Sequence, residues 1–417
     1  MAARTGPSPG EVTLGSLILP VYIPSFLLSA GSGILSTFLP LFLESLGAGI
    51  STVALLVGIG SAGVLVFDLP SGFLVSRFGE RRALIASGLL IIAAALLVAG
   101  GRGLALVTIG VFLSYAGASF WILGRLSFLR SVLRSEQRGR GLATVGGLMR
   151  LGLLCGPIAG GYLAQSAGYR WAFFGIAVLA AISLILFLVS ERRIDKAPRA
   201  AAAAPPGRPA DLRSLLQVLR RCRGAFLTAG LSMLLLNVVR SGRSLVFPLW
   251  GGRLGFDASQ IGLAAGIAAA ADALMFLPAG IVTDRLGRNW SAIGSFLVLA
   301  AGMAAVPITR TYASYLLVGV LAGVGNGLGS GINMTLGADL AEGSDPAVFL
   351  GLWRLVTDVG VAAAPLLISL VAGLLALGPA SLATAGIGLA GAAFHARFVK
   401  ETLVRRQPDG ASARETA

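Results

Sequence analysis

Eight ionisable residues lie inside long apolar runs of a 417-residue chain: Asp68, Arg125, Arg150, Arg240, Arg243, Asp272, Arg354 and Asp358. A charge at the centre of a lipid-spanning helix costs about 2.5–3.5 kcal/mol on insertion scales, so each needs a partner or a wet cavity. Five are positive and three negative, and pairing among themselves leaves a positive excess. One such residue is explained by a structural ion pair; eight together suggest a pathway for ions or substrate. Burial disfavours an ionised carboxylate and a neighbouring arginine favours it, so a carboxylate whose partner leaves can take up a proton. Asp272 and Asp358 lead as proton-coupling candidates, with Asp68 beside them.

The elements that must carry these residues follow from composition. The chain is 56% apolar and only 12% charged, where a soluble domain is nearer a quarter charged. An apolar helix crosses a bilayer in roughly 20 residues. Candidate spans run 17–43, 51–75, 83–100, 104–129, 142–165, 170–190, 224–249, 259–283, 290–308, 312–340, 347–373 and 379–399. Alternate segments between them hold only four basic residues, Arg102, Arg170, Arg253 and Arg310; five lie in spans, and the other 24 of 33 fall in the remaining segments. By the positive-inside rule those remaining segments are cytoplasmic, which places both termini inside the cell and the chain in its inner (plasma) membrane as a multi-pass protein.

The formal net charge of +15 belongs to these short loops, not to one face or tail, so no nucleic-acid partner is expected. Cys155 lies in an apolar run and Cys222 in a basic loop, which implies no disulfide framework. With one histidine and six scattered methionines, neither a metal nor a cofactor is expected. The N-terminus lacks a cleavable-signal pattern, and residues from about Leu17 are expected to form a span that stays. No nucleophile elbow or phosphate loop appears; the glycine-rich stretch Gly323–Gly331 lies within span ten and is expected to serve close helix packing.

The halves repeat. Pro40–Leu41 returns as Pro248–Leu249, Leu46–Gly47 as Leu254–Gly255, and Gly152 and Pro157 as Gly360 and Pro365, all at an offset of 208 residues. The basic segment 191–223, with its run Ala200–Ala204 before Pro205 and Pro206, reads as a linker carrying an amphipathic piece from Leu212 to Arg223. The expected organisation is therefore an N-terminal six-helix bundle in 1–190, a cytoplasmic linker in 191–223, and a C-terminal bundle with a tail in 224–417. Parallel six-span repeats of this kind build one large class of secondary transporters.

Two loops carry a matching pattern. The first reads Gly72-Phe-Leu-Val-Ser76-Arg77-Phe-Gly79-Glu80-Arg81-Arg82, and the second Gly280-Ile-Val-Thr-Asp284-Arg285-Leu-Gly287-Arg288. A glycine permits close helix approach or a tight turn, and an acidic residue can pair with an arginine or a helix N-terminus. The first copy has Ser76 where the second has Asp284. Span five carries Gly152-xxx-Gly156-Pro157-Ile-Ala-Gly160-Gly161, in which small residues four apart allow close packing and proline bends the span. Across essentially its whole length the chain resembles the major facilitator superfamily, whose cytoplasmic signature the two loops match; the span-five pattern is similar to the signature of that family's proton-driven exporters.

That resemblance implies an all-α membrane protein of twelve transmembrane helices in two pseudo-symmetric six-helix bundles. Spans two and eleven, and five and eight, would then pack across the halves. Counted from their inner ends, Arg150 and Asp272 lie about nine and eleven residues deep, and Asp68 and Arg354 about seven, depths that agree within one turn of a helix rising about 1.5 Å per residue. Two inter-half ion pairs are expected, Arg150–Asp272 and Asp68–Arg354, with Asp358 one turn from Arg354 and able to compete for it. Spans one, four, seven and ten would line the cavity. They offer Ser114, Trp121 and Arg125 on span four, Asn237, Arg240, Arg243 and Ser244 on span seven, and Asn326, Ser330 and Asn333 on span ten. The expected protein resembles the family's twelve-span drug:proton antiporters: a monomeric, non-enzymatic transporter working by alternating access, exporting small organic molecules, drugs or a metabolite, in exchange for protons. The competing expectation is a proton-coupled importer of an anionic metabolite, which the arginines favour.

Overall fold

The computed structural model describes residues 14–194, 212–341 and 345–403. Long apolar runs in lipid must satisfy every backbone N–H and C=O internally, and the chain does so with helices; among the described residues there is no strand. The helices are α1 Ile23–Ser45, α2 Ile50–Phe78, α3 Glu80–Gly100, α4 Leu104–Val132, α5 Ser135–Ala167 and α6 Tyr169–Ile194. After a linker helix, Leu212–Arg221, come α7 Leu231–Arg253, α8 Ala258–Arg285, α9 Arg288–Ala305, α10 in two pieces Tyr312–Leu328 and Ile332–Leu340, α11 Pro346–Leu374 and α12 Leu377–Phe398. Twelve segments among the described residues are long and apolar enough to cross a bilayer. The linker run from Ala200 to Pro206 lies outside the described residues.

The duplication visible in sequence is carried into packing. Within the first six helices α1 packs on α5 and α6, α4 on α2 and α3, and α3 on α6; within the last six α7 packs on α11 and α12, α10 on α8 and α9, and α9 on α12. Individual contacts repeat at the same offset. A Cβ at Gly152 would strike the Phe26 carbonyl, and one at Gly360 the Leu234 carbonyl, both pairs being related by 208 residues. Even the π-helical turns that open α1 and α7, Ile18–Tyr22 and Phe226–Gly230, keep that spacing. These are two pseudo-symmetric six-helix bundles.

Successive helices reverse direction, so their connections fall on two faces. Turns at Gly79 and Gly287 sit on one, the motif face, where φ of +82° and +120° is reached at little strain only by glycine. Turns at Gly47, Gly168 and Gly255 sit on the opposite face.

The bundles meet along two long seams, α5 against α8 and α2 against α11, with a smaller contact of α1 on α7. On the first, a Cβ at Gly161 would lie 2.7 Å from the Ala258 carbonyl, and Gly262 presses on the Pro157 carbonyl. On the second, a Cβ at Gly58 would lie 2.9 Å from Leu366, while Ser51 and Ser369 exchange hydroxyl-to-carbonyl hydrogen bonds of 2.9 and 2.8 Å. These approaches lie toward the opposite face. Toward the motif face a Cβ at Gly72, Gly146, Gly147, Gly280 or Gly351 would meet nothing within 4 Å. The halves are sealed at one end and part at the other.

Candidate functional site

The point where each seam stops being tight is marked by charge. On the α5–α8 seam Arg150 Nη1 lies 3.1 Å from Asp272 Oδ1, with side chains 23% and 17% exposed. The other Asp272 oxygen accepts from Asn326 Nδ2 at 2.9 Å, the second Arg150 terminal nitrogen donates to Ser330 Oγ, and the guanidinium stacks 4.4 Å over Phe276. One cation meets one carboxylate, and both carboxylate oxygens are held.

The α2–α11 seam is arranged differently. Arg354 Nε lies 3.0 Å from Asp68 Oδ2 and 3.4 Å from Asp358 Oδ2, while its Nη2 donates to Asp68 Oδ1 at 3.2 Å. Here one guanidinium serves two carboxylates, one from each half. With both ionised the cluster holds an uncompensated negative charge in a low-dielectric setting, and a single proton removes it.

Between the seams lies a cavity of about 210 Å³, bounded by Arg150 and Asp272 toward the motif face and by Pro157, Phe247 and Pro248 farther in. Arg243, Ser244 and Asn326 also line it. The Arg243 Nε is buried without a hydrogen-bond partner, and Arg243 forms no ion pair among the described residues. Arg240 is turned from the cavity into the break of α10. There the two helical pieces separate at Gly329–Gly331, with Gly331 at φ +83°, and Arg240 Nη2 donates to the carbonyls of Gly329 at 2.7 Å and Asn326 at 3.4 Å. The glycine run therefore both packs closely, as expected, and interrupts the helix, which the hydropathy pattern does not reveal. Discontinuous spans at mid-membrane are typical of transporter binding sites.

A second cavity, about 280 Å³, lies within the first half between α1, α4 and α5, and shares Ser36 and Leu153 with the first. Ser114, Trp121 and Arg125 line it. Arg125 is 9% exposed and donates to Ser25 Oγ at 3.1 Å; the Trp121 Nε1 is buried without a partner.

Of the polar residues expected on the cavity wall, Ser244, Asn326, Arg243, Ser114, Arg125 and Trp121 are there. Ser330 binds Arg150 instead, and Asn237 and Asn333 bond α11, through the Thr357 carbonyl at 2.9 Å and the Trp353 indole at 2.8 Å. Their helical faces were legible, but α11 covers the face that α7 and α10 share.

The motif residues expected in loops lie mostly in helices: Gly72 and Arg77 are in the last two turns of α2, and Gly280, Asp284 and Arg285 in those of α8, with the turns themselves at Gly79 and Gly287. Asp284 is exposed with no ion pair among the described residues. In the first copy Glu80 accepts from Ser131 Oγ at 3.2 Å; in the second the acidic contacts come from residues outside the pattern. Arg288 Nε pairs with Asp339 at 3.1 Å, and Glu401 caps α9 by accepting from the Arg288 and Asn289 backbone N–H at 2.9 and 3.0 Å. Burial pushes the Glu401 carboxyl up, but the N–H groups of Asn289, Arg288, Leu403 and Thr402 together hold it below the usual glutamate range. On α5, Gly152, Gly156 and Pro157 face α1: Gly156 presses on the Ala30 carbonyl, and Pro157 lies against Gly33.

Comparisons with known proteins follow this geometry. The sequence profile of the Major Facilitator Superfamily matches residues 21–250 and 230–416. An uncharacterized MFS-type transporter of Schizosaccharomyces pombe is 26% identical over 147 residues, 34% of this chain and 32% of that one. One of Mycobacterium tuberculosis is 31% identical over 137 residues, 32% and 24% of the two chains. The matched stretch thus spans a third or less of these curated relatives. Solved structures of a POT family transporter, one with a thioalcohol-conjugated peptide and one with 5-aminolevulinic acid, each superpose with a TM-score of 0.75 at 14% identity, covering 93% of this chain and 96% of theirs. At that identity the likeness is one of fold.

Proposed function

The chain belongs to the major facilitator superfamily, and from that premise we propose that it is a proton-coupled secondary transporter exporting small organic molecules by alternating access. It acts as a non-enzymatic monomer without a cofactor in the cell's inner membrane, with both termini cytoplasmic. On that orientation the motif face is cytoplasmic, and the intact Arg150–Asp272 pair stands between the central cavity and the cytoplasm.

The observation carrying the proton coupling is the Arg354 guanidinium shared between Asp68 and Asp358. Asp68 and Arg354 belong to different halves, so rocking separates them. Separation gives Arg354 wholly to Asp358, which sheds the proton the joined cluster held, and leaves Asp68 to take one up; on re-formation Asp68 ionises against Arg354 and its proton passes to Asp358. The Arg150–Asp272 pair, with one cation per carboxylate and both oxygens engaged, acts chiefly as a lock on the cavity. The outward direction is supported by the likeness of the Gly152–Gly161 pattern to that of proton-driven exporters.

The second reading, proton-coupled import of an anionic metabolite, is favoured by Arg243, an unpaired cation on the cavity wall. Purified protein in proteoliposomes with a pH gradient of either sign separates the two. Export by exchange predicts that labelled organic solute moves against the proton gradient; solute moving with the protons supports import; flux indifferent to the gradient ends both.

A further inference from the structure

The cavity inside the first half has a wall of Leu28, Leu35, Ile122, Met149 and Ile176, and one guanidinium. No carboxylate is among its lining residues. Arg125 nevertheless lies in it, nine-tenths buried, with only a neutral hydroxyl as partner among the described residues. One helical turn earlier on the same face of α4, the Trp121 N–H is buried and unpartnered. A buried cation and a buried donor left open side by side are each unfavourable unless an acceptor arrives. A guanidinium matches a carboxylate in shape and charge. A dianion would leave one negative charge uncompensated against the aliphatic wall, so a single arginine selects a monoanion. The volume of about 280 Å³ falls just below the roughly 300–1,000 Å³ of drug-sized sites, which limits the ligand to a body of one or two rings or a comparable chain.

We propose that this compartment binds an amphipathic organic acid, its carboxylate on Arg125 and the Trp121 N–H and its apolar body on the aliphatic wall. The compartment opens onto the central cavity at Ser36 and Leu153, the route by which the ligand reaches the seam. The inference deepens the transport reading by naming its substrate class, yet occupancy is an equilibrium property that needs no proton gradient.

The test is equilibrium binding to the full chain in nanodiscs, with radiolabelled 1-naphthaleneacetic acid as probe, its neutral amide as the matched control and 1-naphthyl phosphate as the dianion. Saturable binding of the acid is expected, with the amide at least about tenfold weaker and the phosphate weaker than the acid. Arg125→Met should lose acid binding, Arg125→Lys should weaken it about tenfold, and Arg243→Met should leave it within about threefold. Removal of an unpaired buried charge should leave ligand-free Arg125→Met melting at or above the parent, and the acid should raise the melting temperature of the parent alone. If Arg125→Met does not fold, the Arg125→Lys result decides. Equal affinity for acid and amide, no saturable acid binding, unchanged affinity in the Arg125 variants, or loss of binding in Arg243→Met would each overturn the proposal. Binding as expected without gradient-driven flux would keep the site and sink proton coupling; absent binding with intact gradient-driven flux would do the reverse.

Discussion

Arg150 and Asp358 stand 208 residues apart at equivalent positions of the duplicated unit, and they carry opposite charges. The same offset relates Phe276 to Asp68. At one seam, therefore, an arginine lies 4.4 Å over a phenylalanine ring; at the other, the equivalent two positions are both carboxylates, with Arg354 between them. Pseudo-symmetric backbones hold unlike chemistry at matching depth. One seam carries a charge-balanced pair, and the other two carboxylates on one guanidinium.

Neutralising Asp358 tests that division directly. Asp358→Asn leaves Arg354 paired one-to-one with Asp68, so transport driven by a pH gradient should fall at least about tenfold while substrate exchange without a gradient persists. Asp272→Asn should weaken both modes together, because it damages the lock and not the proton balance. If both variants keep gradient-driven flux in proteoliposomes, neither aspartate couples protons.

The Arg150–Asp272 pair should behave as a mostly buried, hydrogen-bonded ion pair. Removing one partner strands the other, at about 1–3 kcal/mol for a group with this partial exposure. Asp272→Asn should be the more damaging, since it leaves Arg150 beside the unpaired Arg243. The double variant Arg150→Gln/Asp272→Asn should lose less thermal stability than the two single losses added together. Additive losses in thermal melts would show that the pair is not coupled.

Glu401 offers a pH-dependent prediction outside the membrane. Its folded carboxyl lies below the usual range, so its contribution to stability is complete above the unfolded value of about 4.3 and disappears as pH falls through the lower folded value. Glu401→Gln should remove that acid-sensitive component and speed amide hydrogen exchange in the first turn of α9, where the cap bonds Arg288 and Asn289. Unchanged exchange there would mean that the cap adds nothing.

Much of this was legible because lipid simplifies the rules. Twelve apolar runs must be helices, arginine-rich loops must alternate, and a constant offset exposes the duplication. The depth of Arg150, Asp272, Asp68 and Arg354 could be counted along straight helices, and the structure brings each pair within 3.1 Å. What could not be counted was rotation and interruption. Asn237 and Asn333 lie on polar faces that α11 covers, and the α10 break depends on Gly331 adopting a left-handed conformation that glycine permits but does not require. The α9 cap escaped notice because Glu401 is 113 residues from Arg288, with no periodicity to join them.

Alternating access makes a final demand on the sealed end of the α2–α11 seam. Ser51 and Ser369 hydroxyls lie 3.1 Å apart and bond each other's backbone, where a Cβ at Gly373 would lie 2.9 Å from Ser51. Such proximity suits a disulfide between Ser51→Cys and Ser369→Cys in a background with Cys155 and Cys222 replaced by serine. If this end must open in each cycle, oxidation should abolish transport and reductant should restore it. Cysteines at Gly72 and Gly351, on the parted side of the same seam, should cross-link slowly unless the opposite conformation is sampled, so substrate and a pH gradient should accelerate that reaction. A locked Ser51→Cys/Ser369→Cys protein that still transports at the parent rate would mean that the halves do not rock apart at this end.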